Sequence, residues 1–440
     1  MQSIKPSTGE LLKEYPPTID PESCVEKVSN AQKKWAKLSI NERLKPLKTL
    51  ESNLSKKSSY YAEVIHQEMG KPLKEAEGEV KKCAFLCSYY ADNAQKFLAD
   101  EPSPDGPGNS FVTFDPLGIV LGIMPWNFPF WQVFRFAVPA ITAGNGALLK
   151  HASNVTGCAL EIEKLLVQSG FPENLFRTLV LPGEEVDKLI ENPAISAVTL
   201  TGSEPAGMAV AKKCGELLKK TVLELGGSDP FIVLEDADLD KTVEGALNGR
   251  LQNTGQSCIA AKRFFIHEKV YEKFVAMLVK KCQNRALGPL ARDDLRRQLH
   301  NQVEQAIQEG AQCLTGGSIP SGKGFFYPAT ILTNVTKEMT VFREETFGPI
   351  FAIIKIHSVD EALELANHSS FGLGGSVWTE NRSLGEAAAR QIQSGVIAVN
   401  EITQSHPALP FGGVKRSGYG RELYHYGIKE FVNIKSITIY

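Results

Sequence analysis

The sequence predicts an α/β fold of two lobes, each built round a parallel sheet, and three observations predict it. From Gly118 onward short apolar runs alternate with amphipathic ones. The stretches between the apolar runs are long enough for crossover helices, which parallel strands require and antiparallel ones do not. Finally, 440 residues with 42% hydrophobic and 22% charged side chains can bury the cores of two or three domains of about 150 residues each.

Taken in order, residues 20–100 read as helices. Leu47, Leu50 and Leu54 form an apolar stripe, and the charged run Glu75–Lys82 is helical and polar-faced. Asp105-Gly106-Pro107-Gly108 marks a turn between two extended stretches. The first lobe has strands at Gly118–Met124, Ala147–Lys150, Thr178–Leu181 and Ala197–Leu200, with helices near 130–143, 155–169, 184–191 and 205–218. The second has strands at Pro230–Leu234, Arg263–His267, Ile350–Ile356, Gly374–Trp378 and Val396–Asn400, with helices near 238–252, 270–284, 293–309 and 358–367. Val432–Tyr440 alternates like a strand but has no partner nearby in sequence.

Composition excludes some functions. Lys and Arg total 48 against 50 Asp and Glu, a formal charge of -2, so the basic excess of a nucleic-acid or anionic-membrane binder is missing. Pro116–Leu149 carries only one charge, Arg135, but Pro125, Pro129 and Pro139 and several amides within it argue for a buried strand-turn-helix and against a membrane span. Eight cysteines lie scattered without a CxxC pair, so no metal site is expected and a reducing compartment fits. Met1–Tyr15 has no apolar signal-peptide core, which makes the cytoplasm the default.

Several residues could carry chemistry. Cys258 sits in the polar loop Asn253–Cys258, unlike Cys158 and Cys214 in apolar patterns, and a thiol near a helix N-terminus is a candidate nucleophile. Glu224 lies inside an apolar strand, either salt-bridged or held with a raised pKa for base work. Asn127, in Pro125–Pro129, either caps the next helix or donates to an oxyanion. Gly202 and Ser203 follow a strand and open a helix with Pro205 in its first turn, where backbone N–H groups can hold a diphosphate. Gly317–Lys323 spells GxxxxGK but continues with Gly324 where a phosphate loop needs Ser or Thr, so it reads as a surface turn.

In order along the chain, Pro125–Pro129, Leu223–Ser228, Asn253–Cys258, Glu344–Pro349 and Pro410–Glu422 resemble the aldehyde dehydrogenase superfamily. Lys150–Asn154 and Leu225–Leu234 look like its short bacterial succinate-semialdehyde dehydrogenases. The resemblance implies an aldehyde dehydrogenase-like α/β fold with two Rossmann-type parallel-sheet lobes and a β oligomerisation module. Residues 1–225 would form the cofactor-binding domain, with hairpin 103–116 in the oligomerisation module. Residues 226–408 would form the catalytic domain, and 409–440 a return segment and oligomerisation strand. A homodimer or homotetramer is implied.

By the same resemblance Cys258 is the catalytic thiol, Glu224 the general base and Asn127 the oxyanion amide. Gly202 and Ser203 match the diphosphate turn, Lys150 the contact to the adenosine ribose, and Glu345 the acid on the nicotinamide ribose. Phe347 and Trp126 flank that groove. Ser153 stands where strongly NAD-preferring members carry an acid that repels a 2′-phosphate, which favours NADP acceptance with NAD use alongside.

Arg135 matches an arginine that binds the distal carboxylate of succinate semialdehyde, with a structural ion pair as the alternative. A second arginine found in some members is Gln252 here, and Ser405 is a further candidate. Ile259 and Ala260 replace the second cysteine of a regulatory disulfide. The connection Lys280–Pro289 is shorter than usual and is expected to lie on the surface, away from the chemistry. The reading is NAD(P)-dependent oxidation of succinate semialdehyde. Glutarate semialdehyde or another short aldehyde, a catalytically silent relative and an ester hydrolase are the alternatives.

Overall fold

The computed structural model describes residues 1–283 and 285–440. Five strands of the first lobe run parallel in the order Phe176–Thr178, Gly146–His151, Ile119–Met124, Ile195–Thr201, Lys220–Glu224, and Gly418–Tyr419 closes the far edge antiparallel. Their apolar runs are buried on both faces, as strands of a covered parallel sheet must be. The second sheet has the order Gln312–Thr315, Thr330–Thr333, Ile350–Ile356, Ala261–His267, Asp229–Val233, Gly374–Trp378, Val396–Val399, parallel apart from its first strand. The two-lobe α/β reading therefore holds.

Strand order reverses in the first sheet between Ile119–Met124 and Ile195–Thr201. Ligand crevices in open α/β sheets form at the carboxyl ends of such a pair. Those ends run directly into Pro125–Pro129 and Gly202-Ser203.

Some elements differ from expectation. The strand placed at Thr178–Leu181 pairs only over Phe176–Thr178, because the Val180 backbone turns aside to bond Thr18 through both its N–H and its carbonyl. The hairpin of Gln2–Lys5 with Glu10–Glu14 is largely exposed, Ile4, Leu11 and Leu12 included, so it has no buried apolar face to read. Helix Arg382–Gln391 buries only Gly385 and Ala388, too little for a readable stripe. The terminal strand, Val432–Ile439, finds its partner far back in the chain: it pairs antiparallel with Asn109–Pro116, and Glu101–Pro102 lies on that strand's other edge. Among the described residues no helix is long and apolar enough to cross a membrane.

Helix Leu73–Phe97 holds the site in place. Glu75, Glu79 and Lys82, spaced to share one face, point inward from it. Glu79 Oε1 accepts from the N–H groups of Phe130 (2.8 Å) and Trp131 (3.0 Å), at the start of helix Trp131–Thr142. That helix buries all its residues and has no side-chain cap of its own, so an acid from a neighbouring helix serves its positive end. Glu79 Oε2 is ion-paired with Lys71, and both side chains are about 1% exposed.

Glu79→Ala would strand the buried Lys71 charge and free two helix N–H groups. A loss of about 3–5 kcal/mol in urea unfolding is expected. The double change Lys71→Met with Glu79→Leu removes the charge as well and should recover part of that loss, which checks the cause.

Candidate active site

Cys258 lies in a loop between helix Leu239–Leu251 and strand Ala261–His267. The loop turns through Asn253 and Thr254 at φ 54° and 55°, a left-handed conformation that non-glycine residues keep only when the surroundings hold them there. Glu75 accepts the Asn253 N–H at 2.6 Å. The Asn253 amide donates to the carbonyls of Asn127 (2.8 Å) and Gln256 (3.0 Å). Lys262 Nζ, fully buried, donates to the carbonyls of Ser257, Cys258 and Ala260 at 3.0, 2.7 and 3.3 Å and lies 3.4 Å from Glu345. Gly255, at φ 75°, presses on the Glu345 segment so closely that a Cβ would sit 2.5 Å from the Gly348 backbone.

The expectation of a helix N-terminus beside Cys258 is not met. A helix ends before it and a strand follows, so no helix dipole stabilises a thiolate. Burial pushes the thiol up to about 12, against the opposing pull of Arg135 and Lys262.

Asn127 does not cap the helix, a task that falls to Glu79. Its amide donates one N–H to the Gln256 carbonyl at 3.1 Å and has the second to spare.

Two cavities meet at Cys258. One, of about 350 Å³, is lined by Trp126, Asn127, Gly202, Ser203, Glu345 and Phe347, with Trp126 and Phe347 edge to face at 5.7 Å. The other, of about 400 Å³, is lined by Lys82, Trp131, Arg135, Gln252, Ser405 and Phe411. Lys150 and Ser153 line neither and stand at the end of strand Gly146–His151, beside the first cavity's own strand Ile119–Met124.

Glu224 also lines neither cavity. It ends strand Lys220–Glu224, pairs in register with Thr201 and Gly418, and leaves both carboxylate oxygens buried without a partner. Burial, and then neighbouring Glu422, raise its pKa well above the usual carboxylate range.

Arg135 forms a buried ion pair with Glu422 at 2.6 Å and lies over the Phe411 ring, so the structural pair does form, while Nη2 has no partner.

Residues the sequence left unmarked do much of the positioning. Glu75 and Glu79 belong to an ordinary-looking charged run and Lys262 to the isolated pair Lys262-Arg263, and only their placement inside the fold reveals them. Arg250 is another: it donates to the Thr346 carbonyl at 2.7 Å and holds the segment that carries Glu345 and Phe347. Of the connection Lys280–Pro289, Asn284 lies outside the described residues. The rest is not remote from the site: Thr254 donates to the Gly288 carbonyl at 3.2 Å, and just beyond it Ala291 N–H donates to Gln256 at 2.9 Å.

Two parallel-sheet lobes and a cysteine shared by a switch-point crevice and a second chamber define an α/β enzyme with its centre between the lobes. The chain belongs to the aldehyde dehydrogenase family, whose profile matches residues 1–437. It is similar to an aldehyde dehydrogenase of Paenarthrobacter nicotinovorans, 45% identical and covering 99% of this chain and 98% of that one. It is also 43% identical to the NADP(+) succinate-semialdehyde dehydrogenase of Mycobacterium leprae, over 99% of both chains. Succinic semialdehyde dehydrogenase from Streptococcus pyogenes, solved in complex with NADP+, superposes with a TM-score of 0.97 at 36% identity, covering 100% of this chain and 99% of that one.

With its thiol so far above neutrality, Cys258 in the free enzyme should be alkylated by iodoacetamide at a rate rising about tenfold per pH unit from 7 to 9. Peptide mass spectrometry reads that rate, and a plateau below pH 8 would contradict the assignment.

Proposed function

We propose that the protein oxidises succinate semialdehyde to succinate, using NADP and accepting NAD. One observation carries the reading: Cys258 is the wall shared by a cleft suited to a nucleotide and a chamber suited to an acid.

The cleft fits the cofactor. Helix Glu204–Glu216 begins there, its N-cap Ser203 makes no side-chain cap, and Ser203, Glu204 and Pro205 line the crevice, the end of a helix at which an anion is favoured. A Cβ at Gly226 would sit 2.5 Å from Glu345 Oε2, so this glycine leaves room for the acid. Gly202 and Ser203 would hold the diphosphate, Glu345 the nicotinamide ribose, Trp126 and Phe347 the ring's surroundings, and Lys150 with Ser153 the adenosine ribose and its 2′-phosphate. When bound, the cofactor supplies a hydride acceptor.

The protein's own residues do the rest. Cys258 Sγ attacks the aldehyde carbon once its proton has left. The spare N–H of Asn127 and the Cys258 backbone N–H receive the oxyanion, each such donor worth about 2.7–4 kcal/mol of barrier. After oxidation a thioester remains on Cys258. Glu224, tied to no partner, is free to turn toward the thiol and take a proton from the hydrolytic water. Aldehyde, water and oxidised cofactor give acid, reduced cofactor and a proton.

The strands support a cofactor domain over 1–225 and a catalytic domain over 226–408, since the first sheet's parallel strands end at Glu224 and the second's begin at Asp229. Segment 409–440 returns to the first sheet and ends in the antiparallel strand, whose outer edge suits a homodimer or homotetramer. Eight free cysteines suit the cytoplasm.

Purified protein should reduce NADP with succinate semialdehyde and do so faster than with butanal. Cys258→Ala should abolish turnover, and Asn127→Ala should lower kcat by about 100- to 1,000-fold. Ser153→Glu should cut the NADP-to-NAD ratio of kcat/KM by about tenfold or more through repulsion of the 2′-phosphate. Equal turnover of both aldehydes, or strong NAD preference in the unaltered enzyme, would count against the reading.

A further inference from the structure

Glu204 is an acid standing where an anion is to be received. It opens helix Glu204–Glu216 and lines the cleft beside Gly202 and Ser203. A carboxylate gains from the positive end of a helix, but so does a diphosphate, and here the two would share one end. Their charges repel, so the acid weakens cofactor binding unless a cation answers it.

That cation comes from the return segment near the end of the chain. Arg416 Nη2 lies 2.7 Å from Glu204 Oε1, with side chains 57% and 24% exposed, so the guanidinium reaches in from solvent to the rim of the cleft. The turn that carries it is fastened to residues lining the same cleft. Ser417 Oγ donates to the Gly226 carbonyl at 2.6 Å, and the Leu225 N–H donates to the Ser417 carbonyl at 3.0 Å. The Arg416 N–H donates to the Ser370 carbonyl at 2.9 Å, next to Phe371 of the cleft wall. Among the described residues no second acid pairs with Arg416. Its other guanidinium N–H groups are therefore left for a phosphate oxygen, the partner that their planar fork fits best. A pair this exposed adds little to stability, so its place at the cleft is its consequence.

We propose that Arg416 binds the diphosphate of the nicotinamide cofactor, and that Glu204 holds it ready at the rim while the cleft is free. Arg416 also cancels the repulsion that Glu204 would exert on that group. This rests on the cofactor reading above. Two tasks are then separate: Arg416 acts on the part common to NADP and NAD, whereas Lys150 and Ser153 act on the 2′-phosphate that NADP alone carries.

The test is calorimetric titration with NADP and with NAD in the absence of aldehyde, which reads binding without turnover. Arg416→Gln should weaken both cofactors by about tenfold and leave the ratio of their affinities within about twofold of the unaltered enzyme's. Glu204→Gln should tighten both by about threefold, since the opposing charge is gone. Made in the Glu204→Gln background, Arg416→Gln should cost only about threefold, the rest being the acid it no longer has to cancel. Arg416→Lys should restore most of the binding lost in Arg416→Gln. Raising the salt from about 0.05 M to about 0.5 M should narrow the gap between Arg416→Gln and the unaltered enzyme. Unchanged affinity in Arg416→Gln overturns the assignment, and so does a loss confined to NADP, which would move Arg416 to the 2′-phosphate. A loss in Glu204→Gln as large as that in Arg416→Gln also overturns it, by making the pair a structural support. An unaltered enzyme that binds neither cofactor overturns the cofactor reading as well.

Discussion

Much of the site depends on how one carboxylate is shared. Glu79 joins a buried lysine to the unsatisfied start of helix Trp131–Thr142, and so sets where that helix begins relative to helix Leu73–Phe97. Asn127 stands just before that start and Arg135 one turn inside it. Glu75, a turn earlier on the long helix, ties down the Cys258 loop. A carboxylate with three donors in a dry interior has few alternative geometries, so the Asn127 amide and the Cys258 thiol are placed against a common reference.

The thiol itself is kept quiet by the same dryness. Its loop is pinned by carbonyl contacts from Lys262 and by left-handed residues that solvent-exposed chain would not keep. Lys262 spends its donors on backbone carbonyls and its charge is partly answered by Glu345, so it fixes the sulfur's position more than it acidifies it. A protein that must not react with every passing electrophile gains from a cysteine that is positioned before it is activated.

The lobes were legible because covered parallel strands are long apolar runs, and Ile350–Ile356 and Gly374–Trp378 begin and end where the sequence places them. Elements that bury little apolar surface, such as Arg382–Gln391 and the first hairpin, leave no such trace. In the site, Cys258, Asn127 and Gly202 were visible as residues out of keeping with their neighbours. Glu75, Glu79 and Lys82 were not, since a charged helical run looks the same whether it faces water or a cavity. Periodicity says that residues share a face, but only packing says what that face meets. Arg135 shows a further limit: its partner Glu422 lies almost at the other end of the chain, where no local pattern could suggest it.

That separation bears on how the chain is made. Arg135 and strand Asn109–Pro116 leave the ribosome long before Glu422 and strand Val432–Ile439, an interval on the order of tens of seconds at ordinary rates of synthesis. Throughout it, the nascent first lobe holds a guanidinium without its counter-ion and a strand edge without its cover. The first lobe therefore cannot be completed by the first half of the chain, and its half-made form is the species most in need of a chaperone.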